Sequence, residues 1–323
     1  MSAINWTNQS GYLTSGYLNK KFQVQAQPLL RFRQFLQFKE AFGKSKGETV
    51  NWLKVGNAGT YGGKLTETNV MHTTDYSMTW GTLTVYEYGN SIPFTFKVET
   101  LSEFDLDRII RDTLLNDAVK CMDGEIERQF NACLLRYVGT STSAQTVTTN
   151  GTATQTNTSV LNTYHTRKLI TELKKRNVPG WGGLGGDYSM IGSIEAMENM
   201  KAALESVNQY TESGQKRNLA GEVGRYMGCR FVEDSFATRY TYDSTARTAT
   251  AKTWTKAQSL EGYMFGSPTV REAIVIPEEI RVKEPSDYGR SHGLCWYALL
   301  GWKIEWDTSG AADTRIIKWD SAA

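Results

Sequence analysis

Histidine is nearly absent from this chain. His72, His165 and His292 are the only three in 323 residues, and none stands at ligand spacing from another histidine or a cysteine. A zinc centre is therefore not expected. Cysteine is equally thin: Cys121, Cys133, Cys229 and Cys295 are scattered, with no CxxC pair, which is the pattern of buried thiols. No apolar run approaches the roughly 20 residues that a membrane helix needs, so no membrane partner is expected. The opening residues, MSAINWTNQSGYLTSGYL, are polar and lack the apolar core of a signal peptide; the expectation is a protein made and kept in a reducing cytosol. Lys and Arg number 36 against 34 Asp and Glu, and a net charge of +2 offers no global attraction for nucleic acid or membrane. The full GxxxxGK[ST] phosphate loop does not occur, which removes the common nucleotide-hydrolysis site.

What is present is a globular composition, 40% hydrophobic and 22% charged, long enough for two or three regions with substantial cores. The most organised stretch spans residues 100–138. Thr100 and Glu103 stand in capping-box relation, and Asp105 and Asp107 suit the positive end of a helix dipole. Leu106, Ile109, Ile110, Leu114, Leu115, Ala118, Met122, Ile126, Phe130 and Leu134 recur at helical spacing. The spacing predicts one helix over 100–138, roughly 55 Å long at 1.5 Å per residue, stopped by Gly139. Gly124 inside it would permit a bend.

Residues 1–46 carry seven cations against one acid, Glu40, a local charge of +6. Lys20, Lys21, Arg31, Arg33 and Lys39 belong to this basic arm, and Phe32, Phe35, Leu36 and Phe38 interleave with them. An amphipathic helix over about 29–42 that packs on the body and a contact with a polyanion are both open readings. Residues 48–55 and 79–88 alternate as strands. The polar, glycine-rich run from Gly56 to Lys64 between them suggests a hairpin that projects from the core and is held by a partner. Further expectations are polar surface loops over 139–159 and 238–256, helices over 160–176 and 194–207, and a strand over 188–191. Strands are also expected over 270–276, 280–283, 294–305 and 314–319, with Trp302, Ile304 and Trp306 facing a core and Lys303, Glu305 and Asp307 facing water.

Two motifs invite an enzymatic reading and do not sustain it. Gly43-Lys44-Ser45-Lys46-Gly47 matches a nucleophile elbow, but an elbow needs a strand before the serine and a helix after it; here the expected order is reversed. Gly180-Trp181-Gly182-Gly183-Leu184-Gly185 spells GxGxxG, yet it follows a helix and leads into a strand, the wrong order for a phosphate cradle. No enzymatic activity and no cofactor are expected.

The run from Asn218 to Asp234 includes Gly221-Glu222-Val223-Gly224-Arg225-Tyr226-Met227-Gly228-Cys229-Arg230-Phe231-Val232-Glu233. It resembles the N-G-E-I-G…G-V-R-F-V-E segment of tailed-bacteriophage major capsid proteins, the podophage-type branch of the Hong Kong 97 shell fold, with Ala220 in place of the usual Asn. Gly47-Glu48-Thr49-Val50-Asn51-Trp52 is similar to that family's G-x-T-V strand. The resemblance implies an α+β fold with a basic N-terminal arm (1–46), an extended β-hairpin loop (47–99) and a peripheral domain (100–159 and 257–323) containing the spine helix. An axial domain (160–256) would carry a turn at Gly221, Glu222, Gly224 and Gly228. It further implies a shell subunit of the virion, assembled in the bacterial cytoplasm. Its partners would be copies of itself in pentamers and hexamers, packaged double-stranded DNA, a separate scaffolding protein, a portal and decoration proteins. Gly59, Tyr61, Lys64 and Glu67 would lie on the extended loop across a neighbouring subunit; no acceptor for a covalent lysine link can be named. Alternatives that stay open are an encapsulin-type compartment, a monomeric glycan-binding β protein, and a hydrolase using Ser45 or Ser193.

Overall fold

The computed structural model describes residues 31–36, 38–41, 47–56, 62–68, 70–152, 157–181, 186–209, 222–236, 238, 240–243, 245–251, 260–306 and 314–321. The chain enters the body through a 3-10 turn, Arg33–Phe35, and strand β1 (Phe38–Ala41). Strands β2 (Thr49–Val55), β3 (Met78–Thr84) and β4 (Tyr86–Thr95) precede helices α1 (Phe96–Leu101) and α2 (Leu106–Asn131). Then come β5 (Leu135–Ser141), β6 (Ala144–Thr148), α3 (Thr163–Lys175), β7 (Tyr188–Ser193) and α4 (Ile194–Gln209). Strands β8 (Glu222–Tyr226), β9 (Cys229–Asp234), β10 (Tyr240–Asp243) and β11 (Thr248–Ala251) follow. Strands β12 (Leu260–Phe265), β13 (Val270–Val282), β14 (Ser291–Ile304) and β15 (Ile316–Ser321) complete the order.

A seven-stranded mixed sheet, ordered β6-β5-β15-β12-β7-β9-β8, forms one layer. Its central strands are buried on both faces, so their side chains alternate between two cores rather than between core and water. Along β12, Tyr263 and Phe265 join the core that contains α2, while Met264 joins the core with α3 and α4. Trp319 on β15 is fully buried, and a Cβ on its neighbours Gly262 and Gly192 would come within 2.4 and 2.9 Å of the indole. Those two glycines are paired across the β12–β7 ladder, and their missing side chains leave the slot that the indole fills.

The second sheet has the order β1-β13-β14-β4. Helix α2 lies between it and the seven-stranded sheet, and its Ile110, Leu114, Ala118, Ile126 and Phe130 share a core with Phe94, Trp296 and Leu300 from the strands. Phe32 packs edge-on against Phe130 and Tyr263, with ring centroids 5.4 and 6.0 Å apart, and Phe35 packs on Phe265 at 4.8 Å. Phe32 and Phe35 of the arm are therefore part of the core.

Several sequence expectations change here. The long helix covers 26 residues, Leu106–Asn131, about 39 Å, and not 100–138. Its N-cap is Asp105, which accepts from the Arg108 amide at 3.2 Å, whereas Thr100 Oγ1 bonds the Phe96 carbonyl within α1. Residues 135–138 leave the helix because Leu135, Tyr137 and Val138 find a parallel partner in β15 and become buried there. Leu115, placed on the apolar stripe by periodicity, is exposed. In the second half of α2, Asp123, Glu125 and Glu127 are buried beside the apolar residues, so the helix is enclosed on more than one side. Gly124 marks a close approach: a Cβ there would lie 2.7 Å from Tyr242.

The helix expected over 29–42 is a 3-10 turn and a strand, because Phe38–Ala41 pairs in parallel with β13. The polar runs expected as loops contain hairpins, β5–β6 and β10–β11; threonine-rich chain extends readily once a partner strand is available. Glu305 is buried and binds Arg271 at 3.1 Å instead of facing water. The seven-stranded sheet also crosses the boundaries drawn at 160 and 257, since β5, β6, β12 and β15 share it with β7, β8 and β9.

Candidate assembly interface

Among the described residues, strands β2 and β3 pair only with each other, from Thr49↔Thr84 to Val55↔Met78. The two faces of this hairpin differ. On the inner face Trp52 is buried with Leu83, Val85 and Ala273. Trp52 sits opposite Gly81, where a Cβ would come within 2.2 Å of the indole, and the Arg271 guanidinium stacks over the same ring at 4.9 Å. On the outer face the register sets Leu53 beside Trp80 and Val55 beside Met78. All four are exposed, Trp80 to 72%. Contiguous exposed apolar side chains on a rigid element are the usual mark of an interaction surface.

The hairpin closes at Gly56, whose amide bonds the Ser77 carbonyl at 2.8 Å. Beyond it, the described tip residues 62–68 and 70–77 are exposed and belong to no strand, with Val70 at 93% and Met71 and Tyr76 also in the open. Lys64 and Glu67 are exposed in this tip, whereas Gly59 and Tyr61 lie outside the described residues. The hairpin loop expected over 47–99 is thus shorter: from Tyr86 onward the chain is β4, the edge strand beside β14. At the hairpin's base a groove of about 630 Å³ is lined by Thr82, Glu87, Asn90, Asp117, Arg128 and Arg247 among others. It runs between the hairpin base, β4, α2 and the β10–β11 hairpin. Asp117 is already engaged there by the Trp296 indole N–H at 2.8 Å and the Asn90 amide at 3.0 Å.

The basic arm divides on inspection. Arg33 is bound by Glu272 at 3.0 Å and by Glu278, so its charge is neutralised inside the body rather than offered to a polyanion. The signal was legible only in part: arginine between two phenylalanines suits a buried ion pair as well as a free cation. Arg31 is half-buried, Lys39 lies on β1, and Lys20 and Lys21 lie outside the described residues.

The glycine-marked turn is a two-residue hairpin between β8 and β9. Tyr226 pairs with Cys229, and Met227 and Gly228 between them have φ of +50° and +77°, the type I′ geometry that favours glycine. Asp187 ties the two strands down through Arg225 and Arg230. The register shifts between Glu222 and Gly224, a bulge next to the turn; Gly221 lies outside the described residues.

Neither serine singled out by the sequence forms a catalytic arrangement among the described residues. Ser193 is buried, and its hydroxyl accepts from the Ala196 amide at 3.2 Å at the start of α4, a capping role; Ser45 lies outside the described residues. A histidine-linked cluster, Ser159–His165–Tyr137, is also closed off. His165 bonds Tyr137 at 2.7 Å through Nδ1 and Ser159 at 3.1 Å through Nε2, and all three are buried. Among the described residues no group of three His, Cys, Asp or Glu could hold a metal ion, and no helix is long and apolar enough to cross a membrane.

No family model and no curated protein matches the chain. Solved structures that it resembles include several phage capsids. The capsid structure of cyanophage P-SCSP1u aligns over 97% of this chain and 94% of that one, with a TM-score of 0.63 at 12% identity. The acid-stable capsid of Helicobacter pylori bacteriophage KHP30 aligns over 100% and 98%, with a TM-score of 0.63 at 12% identity. The capsid asymmetric unit of cyanophage Pam1 aligns over 96% and 97%, with a TM-score of 0.64 at 11% identity. The alignments span nearly the whole of each chain, so this chain shares the α+β fold of these phage capsid structures.

Proposed function

We propose that this protein is a major capsid protein, a non-enzymatic subunit that self-assembles into the icosahedral shell of a tailed bacteriophage around double-stranded DNA. The observation that carries the reading is the β2–β3 hairpin. Its inner face is anchored by Trp52, and its outer face presents Leu53, Val55, Met78 and Trp80, all exposed among the described residues. A fold shared end to end with phage capsid subunits supplies the partner such a face requires, another copy of the same chain. In this reading the hairpin, with Lys64 and Glu67 near its tip and Gly59 and Tyr61 beyond, lies across a neighbour within pentamers and hexamers. A closed shell multiplies each contact, so an individual one can be weak.

The arm then faces the packaged genome through Lys20, Lys21, Arg31 and Lys39, without Arg33. Contact with phosphate needs no base readout. A scaffolding protein, a portal and decoration proteins complete the proposed particle, with assembly in the bacterial cytoplasm. Domain assignment follows the sheets in this reading. The seven-stranded sheet with α3 and α4 forms the axial body, and the four-stranded sheet with α2 forms the peripheral one.

Negative-stain electron microscopy with light scattering tests the proposal, on the protein produced alone and together with its neighbouring genes. Closed shells, tubes or rings of five and six are expected. A monodisperse monomer under both conditions would overturn it.

A further inference from the structure

The seating of the N-terminal segment depends on two buried acids. Asp123 projects from α2 and accepts from the backbone amides of Phe32 at 2.9 Å and Arg31 at 3.2 Å. It is 2% exposed. Asp234, at the end of β9, is fully buried and near enough for its charge to act on Asp123; one oxygen accepts from the Thr238 amide at 2.7 Å, the Thr238 hydroxyl at 3.0 Å and the Phe236 amide at 3.2 Å, while the other has no hydrogen-bond partner among the described residues. The charges around the pair are of both signs. Glu127 on the same helix adds a third carboxylate and is engaged by the Tyr263 hydroxyl from β12. Arg31 on the arm is the cation that acts on Asp234. Lys120 lies over the Phe236 ring, 5.8 Å from its centroid, and Arg33 is taken up by Glu272 and Glu278.

We propose that Asp123 and Asp234 form a pH-sensitive clasp on the N-terminal segment, holding residues 31–36 in the core while the pair retains a proton and loosening them when both are ionised. Two carboxylates in a dry site do not ionise together without repulsion. The orphaned oxygen of Asp234 marks where the second negative charge would stand without a hydrogen-bond donor among the described residues. Burial first, and the Asp234 charge second, push the Asp123 carboxyl up to about 8 in the seated state. With the segment lifted, Asp123 meets water and titrates near its ordinary value of about 3.9. The seated state therefore binds the extra proton between these limits. Its stability is full below about pH 4, is lost progressively as pH rises towards 8, and is level above that.

Hydrogen–deuterium exchange of the peptide covering residues 31–36 in the full-length chain, corrected for intrinsic rates, tests this from pH 5 to 9. The open fraction is expected to climb by up to about tenfold per pH unit, the limit for one linked proton, and to level off above pH 8. Asp123→Asn keeps an acceptor for the amides and is expected to flatten the profile. Asp234→Asn removes the opposing charge without touching the segment and is expected to do the same. Arg33→Ala, by contrast, is expected to raise opening at every pH with the slope unchanged, because it breaks a different tether. A flat profile in the unmodified protein, or a slope that survives both asparagine variants, would overturn the clasp. Neither result bears on shell formation.

Discussion

The β2–β3 hairpin and the seven-stranded sheet are built from similar residues and settle their apolar surface in opposite ways. In the sheet, β7 and β15 are buried along their whole length. Each face finds a cover within the chain, α2 and the arm on one side and α3 with α4 on the other. In the hairpin only alternate positions are buried, and the outer ones, tryptophan included, are open. The first region is a self-sufficient core. The second has the same β propensity with half its cover missing, and that shortage is what an assembling subunit needs. Tight packing fixes the fold, whereas exposed apolar surface on a fixed frame remains available to bind.

The contrast can be broken from either end, and the largest expected effect lies in the sheet. Trp319→Ala should cost about 3–5 kcal/mol, because the slot formed over Gly192 and Gly262 cannot close around alanine; chemical denaturation reads this directly. Trp80→Asp, on the outer face of the hairpin, should leave the denaturation midpoint within about 0.5 kcal/mol of the parent. It should nevertheless abolish shells or rings in light scattering and microscopy. Loss of both stability and assembly in that variant would show that the outer face belongs to the subunit's own core. Between these extremes, Gly81→Val drives a side chain into the Trp52 indole and should cost about 1–3 kcal/mol by overpacking, with the hairpin's exchange protection falling before that of the sheet.

Smaller effects sharpen the same division. Gly228→Ala places a side chain at φ +77° with ample room around it, so only backbone strain of about 1 kcal/mol is expected. A modest drop in thermal midpoint with unimpaired assembly is the outcome to look for. The last test is one of pH. Burial holds the His165 imidazole below its ordinary value, so the unfolded chain binds a proton that the fold refuses. Stability contributed by neutral His165 is present above about pH 6.5 and is lost as pH falls through the lower, folded value. His165→Gln should therefore be less sensitive than the parent to a shift from pH 7 to pH 5, measured as the change in denaturant midpoint. The Asp123 clasp has the opposite sign, so the parent-minus-variant difference isolates the histidine.

How much was legible beforehand differs by element. The hairpin could be read because alternation in Glu48–Val55 and the glycine-rich run after it are local signals. Helices α3 and α4 were readable from spacing, whereas of the residues assigned to the glycine-marked turn Gly228 sits in it and Glu222 and Gly224 lie on β8. The end of α2 was not, since Leu134 continues the helical period and only the parallel partner β15, nearly 200 residues away, draws residues 135–138 into a strand. Arg33 read as a free cation because its acceptors, Glu272 and Glu278, lie some 240 positions further on. Strand β12 went unread: Leu260–Phe265 contains Glu261 and Gly262, and what makes it a strand is the Trp319 indole seated over that glycine.

By itself, then, the sequence determined the local matters: which segments extend, which coil, where a turn requires glycine, and that one end is rich in positive charge. The tertiary structure alone decided which apolar residues are covered and which stay open, which cations are already spent, and that two acids share one dry site beneath the arm. Propensity and periodicity act over a few residues, within reach of inspection. Burial, ion pairing and carboxylate repulsion depend on groups distant in the chain that only the fold makes neighbours.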